Sequence, residues 1–259
     1  MEIKEIFNVP DSCSVGTFIP KKQFYEFQEL NNRDRNIFIE LIEKINWLYT
    51  LKEKNIRISP YTNKNRDYCE VEIIQIMLKE NKNITNKKIE RIADIILRGI
   101  LYPLVLIFQI NKNNETNIKI AVSHIKNHLS DSSKITLDGI IFTNWIDLEN
   151  LDEIDLNLFN SLNIENLSFS HFYKFYSDIV DNIIIYNASK NLEKQLDVHL
   201  KDSKEVKDIY DEINDLNREI KLKKNQITNE TQFNRQVEIN IEINDLKNEI
   251  KSLKVKLSE

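Results

Sequence analysis

The apolar positions of this chain change period several times, and each change marks an element. Ile37, Leu41, Ile42, Ile45, Leu48 and Tyr49 recur at three- and four-residue steps, which predicts an amphipathic helix over 32–49. Ile56 and Ile58 then alternate with Asn55 and Arg57, the pattern of a short strand over 55–59. Residues 70–79 predict a second strand, with Ile74, Ile76 and Leu78 on one face and Val71, Ile73 and Met77 on the other. Apolar side chains on both faces place that strand centrally in a sheet. A helical period returns over 86–99, with Ile89, Ile92, Ala93, Ile96 and Leu97 as its buried stripe and Gly99 as its stop. Pro103 opens a strand over 104–110, residues 111–117 form a polar turn, and 118–125 completes a hairpin. A further strand is expected over 135–143, interrupted by Gly139, and a long helix over 169–196 shows a wide apolar face of Phe172, Phe175, Tyr176, Ile179, Ile183 and Tyr186. The first residues, with NVPDSCSVGTFIPKK, read as an extended, loop-rich N-terminal arm. This order of elements predicts an α+β fold, a mainly antiparallel sheet with helices packed on one side.

After Asp197 the pattern narrows. Val206, Ile209, Ile213, Leu216, Ile220 and Ile227 fall on alternating three- and four-residue steps, with Lys223 in the one apolar place between them. Ile239, Ile243, Leu246, Ile250, Leu253 and Leu257 repeat the pattern amid mixed charge, as the seams of coiled-coil helices do. Each run is about 25 residues, an arm about 37 Å long. Between them Thr228, Asn229 and Thr231 compete with helical hydrogen bonds, so the two arms are expected to fold back as an antiparallel coiled-coil hairpin. The chain thus divides into a body over 1–197 and a helical hairpin over 198–259. Leu222, Val237, Ile241 and Val255 lie off the seams and face either a partner or the body's long helix. At the tip, Phe233 is expected to cover the turn while Gln232, Asn234 and Arg235 offer polar groups; Phe233, Arg235, Gln232 and Val237 are the candidate partner-binding residues. The same seams also allow a homodimer through the hairpin.

Composition narrows the function. A length of 259 residues suits one core with an appended element. A net charge of -5 argues against wholesale wrapping by nucleic acid, though a local basic patch stays open. The longest apolar run, 100–110, is broken by Pro103 and Gln109 and falls short of the roughly 20 residues of a membrane span. MEIKEIFNVPDS carries acids and no apolar core, so no secretory signal is expected, and two cysteines fit a reducing cytoplasm.

Candidate chemistry is sparse. A metal-dependent nuclease needs carboxylates converging on a cation, usually with a lysine; Asp67, Glu70, Glu72 and Lys79 are the candidates, with Lys79 on the opposite strand face from the two glutamates. Cys13, Cys69, His124 and His128 could supply four zinc ligands, and the two histidines are four apart, but His124 falls in an expected strand and the cysteines are solitary, so no metal is expected. His171 and His199 belong to no nucleophile motif, and three glycines cannot build a phosphate-binding loop, so no cofactor is expected. Basic and aromatic residues interleave at Lys21, Lys22, Phe24, Tyr25 and Phe27, and a second basic cluster gathers Lys82, Lys87, Lys88, Arg91 and Arg98. Lys21, Lys22, Tyr25, Lys87, Lys88 and Arg91 are the candidates for nucleic-acid contact.

Several stretches together carry a resemblance. NVPDSCSV with IPKKQFYE, INWLYTL, NIRISPY, RIADII with YPLVLIF, NWIDL and ETQFNRQVEIN resemble the bacterial domain-of-unknown-function family 4391, over essentially the whole chain. The resemblance implies a compact α/β body with a helical tail and transfers no catalytic residue. It also implies a setting, since genes of this family tend to sit beside helicases and DNA methyltransferases of restriction-like antiphage loci. The resulting expectation is a non-enzymatic accessory or adaptor subunit with a helicase or methyltransferase partner, the alternative being a nuclease or nucleic-acid-binding effector of the same system.

Overall fold

The computed structural model describes residues 2–27, 30–80, 83–112, 115–127, 135–192, 203–230 and 232–258. These form two compact units, Met1–Ile183 and Ile184–Glu259, with the boundary inside one helix. The boundary expected at 197 lies outside the described residues.

The first unit opens with α1 (Ile3–Phe7), β1 (Ser14–Phe18), α2 (Lys21–Phe27) and α3 (Asn32–Leu41). Pro10 precedes a single 3-10 turn, so the N-terminal arm is ordered as short elements rather than one extended run. The helix expected over 32–49 ends at Leu41, and Ile42–Lys52 is instead a strand, β2. Two bulges, at Ile42/Lys44 and Trp47/Tyr49, explain the difference: they break the two-residue alternation and mimic helical spacing. The strand expected at 55–59 is a helical turn, α4 (Glu53–Ile56), closed by Arg57 at φ 57. Asn55 makes the turn, accepting from Lys52 N–H and donating to the Thr50 carbonyl, local bonds that compete with a ladder.

A small hairpin, β3 (Tyr61–Thr62) with β4 (Asp67–Tyr68), leads to β5 (Glu70–Leu78), and α5 (Asn86–Gly99) carries the chain across to β6 (Leu104–Lys112). Pairing of β5 with β6 is parallel, which requires such a crossover. β6 then pairs antiparallel with β7 (Glu115–Val122), the expected hairpin. Its return strand stops before Ser123, and β8 (Ile125–Asn127) pairs instead with β9 (Ile135–Leu137). Gly139, at φ 88, splits the strand expected over 135–143, and β10 (Ile141–Phe142) returns to β7. After β11 (Ile146–Asp147) come α6 (Glu153–Leu162), which packs on α1, and α7 (Phe172–Leu192).

The main sheet runs β1-β2-β5-β6-β7-β10, with β11 also on β7, and only the β5–β6 pair is parallel. The fold is α+β, as expected. On one face Ile45, Ile74, Ile76, Leu106 and Phe108 pack with Phe24 of α2, Phe38 and Leu41 of α3, and Ile89, Ile92 and Ile96 of α5. Val71, Ile73, Val105, Ile107, Ile120 and Val122 point the other way and are buried as well, so the sheet is covered on both faces rather than one. Tyr176 ties α7 to the strands: its hydroxyl donates to the Leu104 carbonyl at 2.6 Å and accepts the Ser123 N–H at 3.1 Å.

The second unit holds α8 (Ser203–Asn229) and α9 (Phe233–Ser258), which pack against each other. Ile220, Ile239 and Ile243 form the buried centre of the seam, flanked by Ile227, Leu246 and Ile250. Pairing of residues near 220 with those near 243 makes the hairpin antiparallel. Lys223, the polar interruption of the seam, bridges to Glu242 on the facing helix at 2.8 Å.

Replacing Tyr176 with Phe removes one hydroxyl and leaves a buried N–H unpaired. The expected loss is about 1–3 kcal/mol of unfolding free energy, measured by urea denaturation, with the fold retained.

Candidate functional site

The end of the sheet where β5 begins carries the most unusual chemistry of the described residues. Glu70 and Glu72 stand on one face of β5, opposite Lys52 and Thr50 of β2. Glu70 is ion-paired with Lys52 at 2.6 Å. Glu72 is fully buried: its Oε2 accepts the Thr50 hydroxyl at 2.5 Å and the Trp47 indole N–H at 2.7 Å. Its Oε1 is buried with no hydrogen-bond partner among the described residues. Burial raises the Glu72 carboxyl to about 6, against the pull of the Thr50 and Trp47 hydrogen bonds, and the neighbouring Glu70 charge adds to the rise. Tyr102, in the loop between α5 and β6, sits beside Glu70, whose charge raises the pKa of its phenol.

In front of Trp47 and Tyr102 lies a cavity of about 380 Å³. Thr17, Phe18 and Ile19 wall it from β1 and the residue after it, Gln23 and Phe24 from α2, and Gly99 and Ile100 from the end of α5. The lining is chiefly aromatic and aliphatic, and the glutamates stand behind it rather than within it.

The nuclease candidates do not converge. Glu70 and Glu72 share the start of β5, but Lys79 follows its far end, about 23 Å from Glu72 at the rise of a strand. There Lys79 Nζ donates to the Ile39 carbonyl at 2.8 Å. Asp67 belongs to the small hairpin, accepting from the Thr62 hydroxyl and the Cys69 thiol. Cys13 is buried, Cys69 is exposed, and His124 Nδ1 meets the Tyr68 hydroxyl at 2.9 Å, while His128 and His199 lie outside the described residues. Among the described residues no three His, Cys, Asp or Glu side chains gather as a metal-holding group. His171 accepts the Lys174 N–H at the start of α7.

The basic candidates are largely engaged within the chain. Lys21 Nζ donates to the Ile42 carbonyl, and burial lowers its pKa. Lys22 pairs with Glu26, Arg35 lies over the Tyr25 ring, and Phe24 is buried beside Phe38. Arg91 holds Asp34 through two bonds and Asp94 through a third, and Arg98 also reaches Asp94. Lys87 is exposed and Lys88 half-buried in the first turn of α5; Lys82 and the side chain of Phe27 lie outside the described residues.

Two further groups are visible only in three dimensions. Arg66 bridges to Asp138 at 2.9 Å and lies over the Tyr173 ring, while Tyr61, Tyr173 and His171 stack on one another in a triangle. Buried Tyr68, its phenol pushed up to about 12 by desolvation, accepts the Ile125 N–H and completes this cluster. Lys119 is buried with its ammonium over Phe142 and Trp145, and desolvation lowers its pKa.

At the hairpin tip, Gln232 is exposed and its N–H meets Glu230, Arg235 pairs with Glu238, and Val237 is 41% exposed; the Phe233 side chain and Thr231 lie outside the described residues. Ile241, one turn on, is 56% exposed, and Leu222 and Val255 are exposed too.

Fold and site together define an α+β body with a mixed sheet, an aromatic cavity at one sheet end and a helical hairpin. The chain belongs to the family described as Domain of unknown function (DUF4391), whose model matches residues 7–250. No curated protein and no solved structure matches it.

A carboxyl that holds its proton more tightly when folded favours folding at low pH, and that advantage is lost as pH rises from about 4.5 to about 6. Above that window the ionised group costs about 2 kcal/mol. The difference in stability between wild type and Glu72→Gln, followed by urea denaturation from pH 4 to 8, is expected to shift by about that amount in favour of the variant as pH rises.

Proposed function

We propose that the protein is a non-enzymatic accessory subunit of a cytoplasmic, restriction-like antiphage system, docking on a helicase or DNA methyltransferase subunit through its helical hairpin. One observation carries the reading: α9 has two apolar faces. Ile239, Ile243, Leu246, Ile250 and Leu253 face the seam, whereas Val237, Ile241 and Val255 fall within about 40° of one another on the opposite side of a helix of 3.6 residues per turn. Asn244, Asn248 and Ser252 fall on the same outward side, with Lys251 at its edge. Exposed apolar anchors at four-residue spacing are what a helix offers to a groove on a larger protein. The genomic setting that the family resemblance implies supplies the class of partner. No helix among the described residues is long and apolar enough to cross a membrane.

The alternative, a metal-dependent nuclease or nucleic-acid-binding effector, draws on the shared face of Glu70 and Glu72. Loss of antiphage activity in a folded Glu70→Ala, Glu72→Ala protein would favour it.

Val237→Lys combined with Ile241→Lys is expected to abolish co-purification with the neighbouring helicase or methyltransferase while changing unfolding free energy by no more than about 0.5 kcal/mol. Ile243→Lys, placing a charge in the seam, is expected to melt the hairpin and serves as the structural control. Undiminished co-purification of the double variant would remove the docking reading.

A further inference from the structure

We propose that the cavity beside β1 binds a small organic cation, an alkylammonium group, within an aromatic cage of Phe18, Phe24, Trp47 and Tyr102. The four rings come from four different segments, β1, α2, β2 and the α5–β6 loop, and all line the same space of about 380 Å³. That volume lies in the range of small-molecule sites. Of the four rings, Phe18 is 49% and Tyr102 40% exposed, whereas Phe24 is buried.

Charge selects among apolar ligands of that size. The faces of aromatic rings attract cations, and tryptophan does so most strongly. Trp47 donates its indole N–H to a Glu72 oxygen, and Tyr102 lies beside Glu70, so two of the four rings are backed by carboxylates. Lys52 is committed to Glu70 at 2.6 Å and leaves the Glu72 carboxylate as the excess negative charge. The second oxygen of Glu72 has no hydrogen-bond partner among the described residues, and none of the residues lining the cavity is cationic. A cation in the cage supplies the missing counter-charge through the indole; an anion meets the same charge as repulsion, and a neutral apolar group gains burial alone.

Choline and its uncharged isostere 3,3-dimethyl-1-butanol separate these cases, because they match in shape and differ in charge. Binding to the full-length chain is followed by the change in Trp47 indole resonances and by calorimetry. Choline is expected to bind at least about ten-fold more tightly than the alcohol, and Tyr102→Leu and Phe18→Leu, both at exposed positions, are expected to weaken it several-fold without unfolding the protein. Glu72→Gln, shown folded by circular dichroism, is expected to bring choline and the alcohol close to equal affinity. Equal binding of both ligands by the wild type, or binding of neither at millimolar concentration, would overturn the proposal. Unchanged choline binding by Tyr102→Leu and Phe18→Leu would also overturn it.

Discussion

Strand β5 must be apolar on both faces to lie between β2 and β6, yet two of its first three residues are glutamates. How those two charges are housed shapes the end of the sheet around them. Glu70, at the edge of the core, takes the lysine directly across the ladder. Glu72, one step further in, forms no ion pair among the described residues; Lys52 favours its charge only from beyond Glu70, two neutral donors come from β2, and one oxygen has no hydrogen-bond partner among the described residues. Burying an unpaired carboxylate is expensive. A chain under selection for stability alone would place an apolar residue there, and the retained charge is the strongest physical reason to look for a role at this end of the sheet.

The hairpin presents the opposite economy. Its seam satisfies itself through Ile220, Ile239 and Ile243, and even the lysine in the seam finds a carboxylate across the interface. Val237, Ile241 and Val255 on the outward side of α9 stay exposed. Exposed apolar side chains are weak evidence singly, but their alignment along one face is harder to attribute to chance. The cavity and the stripe lie in separate compact units.

Much of the fold is legible in the sequence because period and burial agree there. The central position of β5 follows from Val71 and Ile73 opposing Ile74 and Ile76, the α5 stripe from its spacing, and the hairpin from its two seams. β2 is not legible, because its bulges displace Ile42 and Ile45 from the alternation a flat strand would show, and the β-branched and aromatic content of INWLYT was the signal that could have outweighed the spacing. α6 was also signalled: Asp152 and Asp155 form a reciprocal capping box. The site itself was only half visible. Glu70 and Glu72 announce themselves on the strand, but Trp47, Thr50 and Lys52 meet them through a register that no local pattern encodes, and Tyr102 reaches them from a loop. Lys21 and Lys79 looked available for phosphate or metal chemistry; both instead donate to backbone carbonyls at the end of α3 and the start of β2, a use that sequence spacing does not reveal.

Glu72 is a buried carboxylate whose charge is held by hydrogen bonds from the Thr50 hydroxyl and the Trp47 indole. A carbon-detected NMR titration of the Glu72 side-chain carboxyl tests it most directly. The expected midpoint lies near 6 and moves higher in Trp47→Phe, because the lost hydrogen bond stabilised the charged form. A midpoint near about 4.3, the value of a solvated glutamate, or one that Trp47→Phe leaves in place, would contradict it.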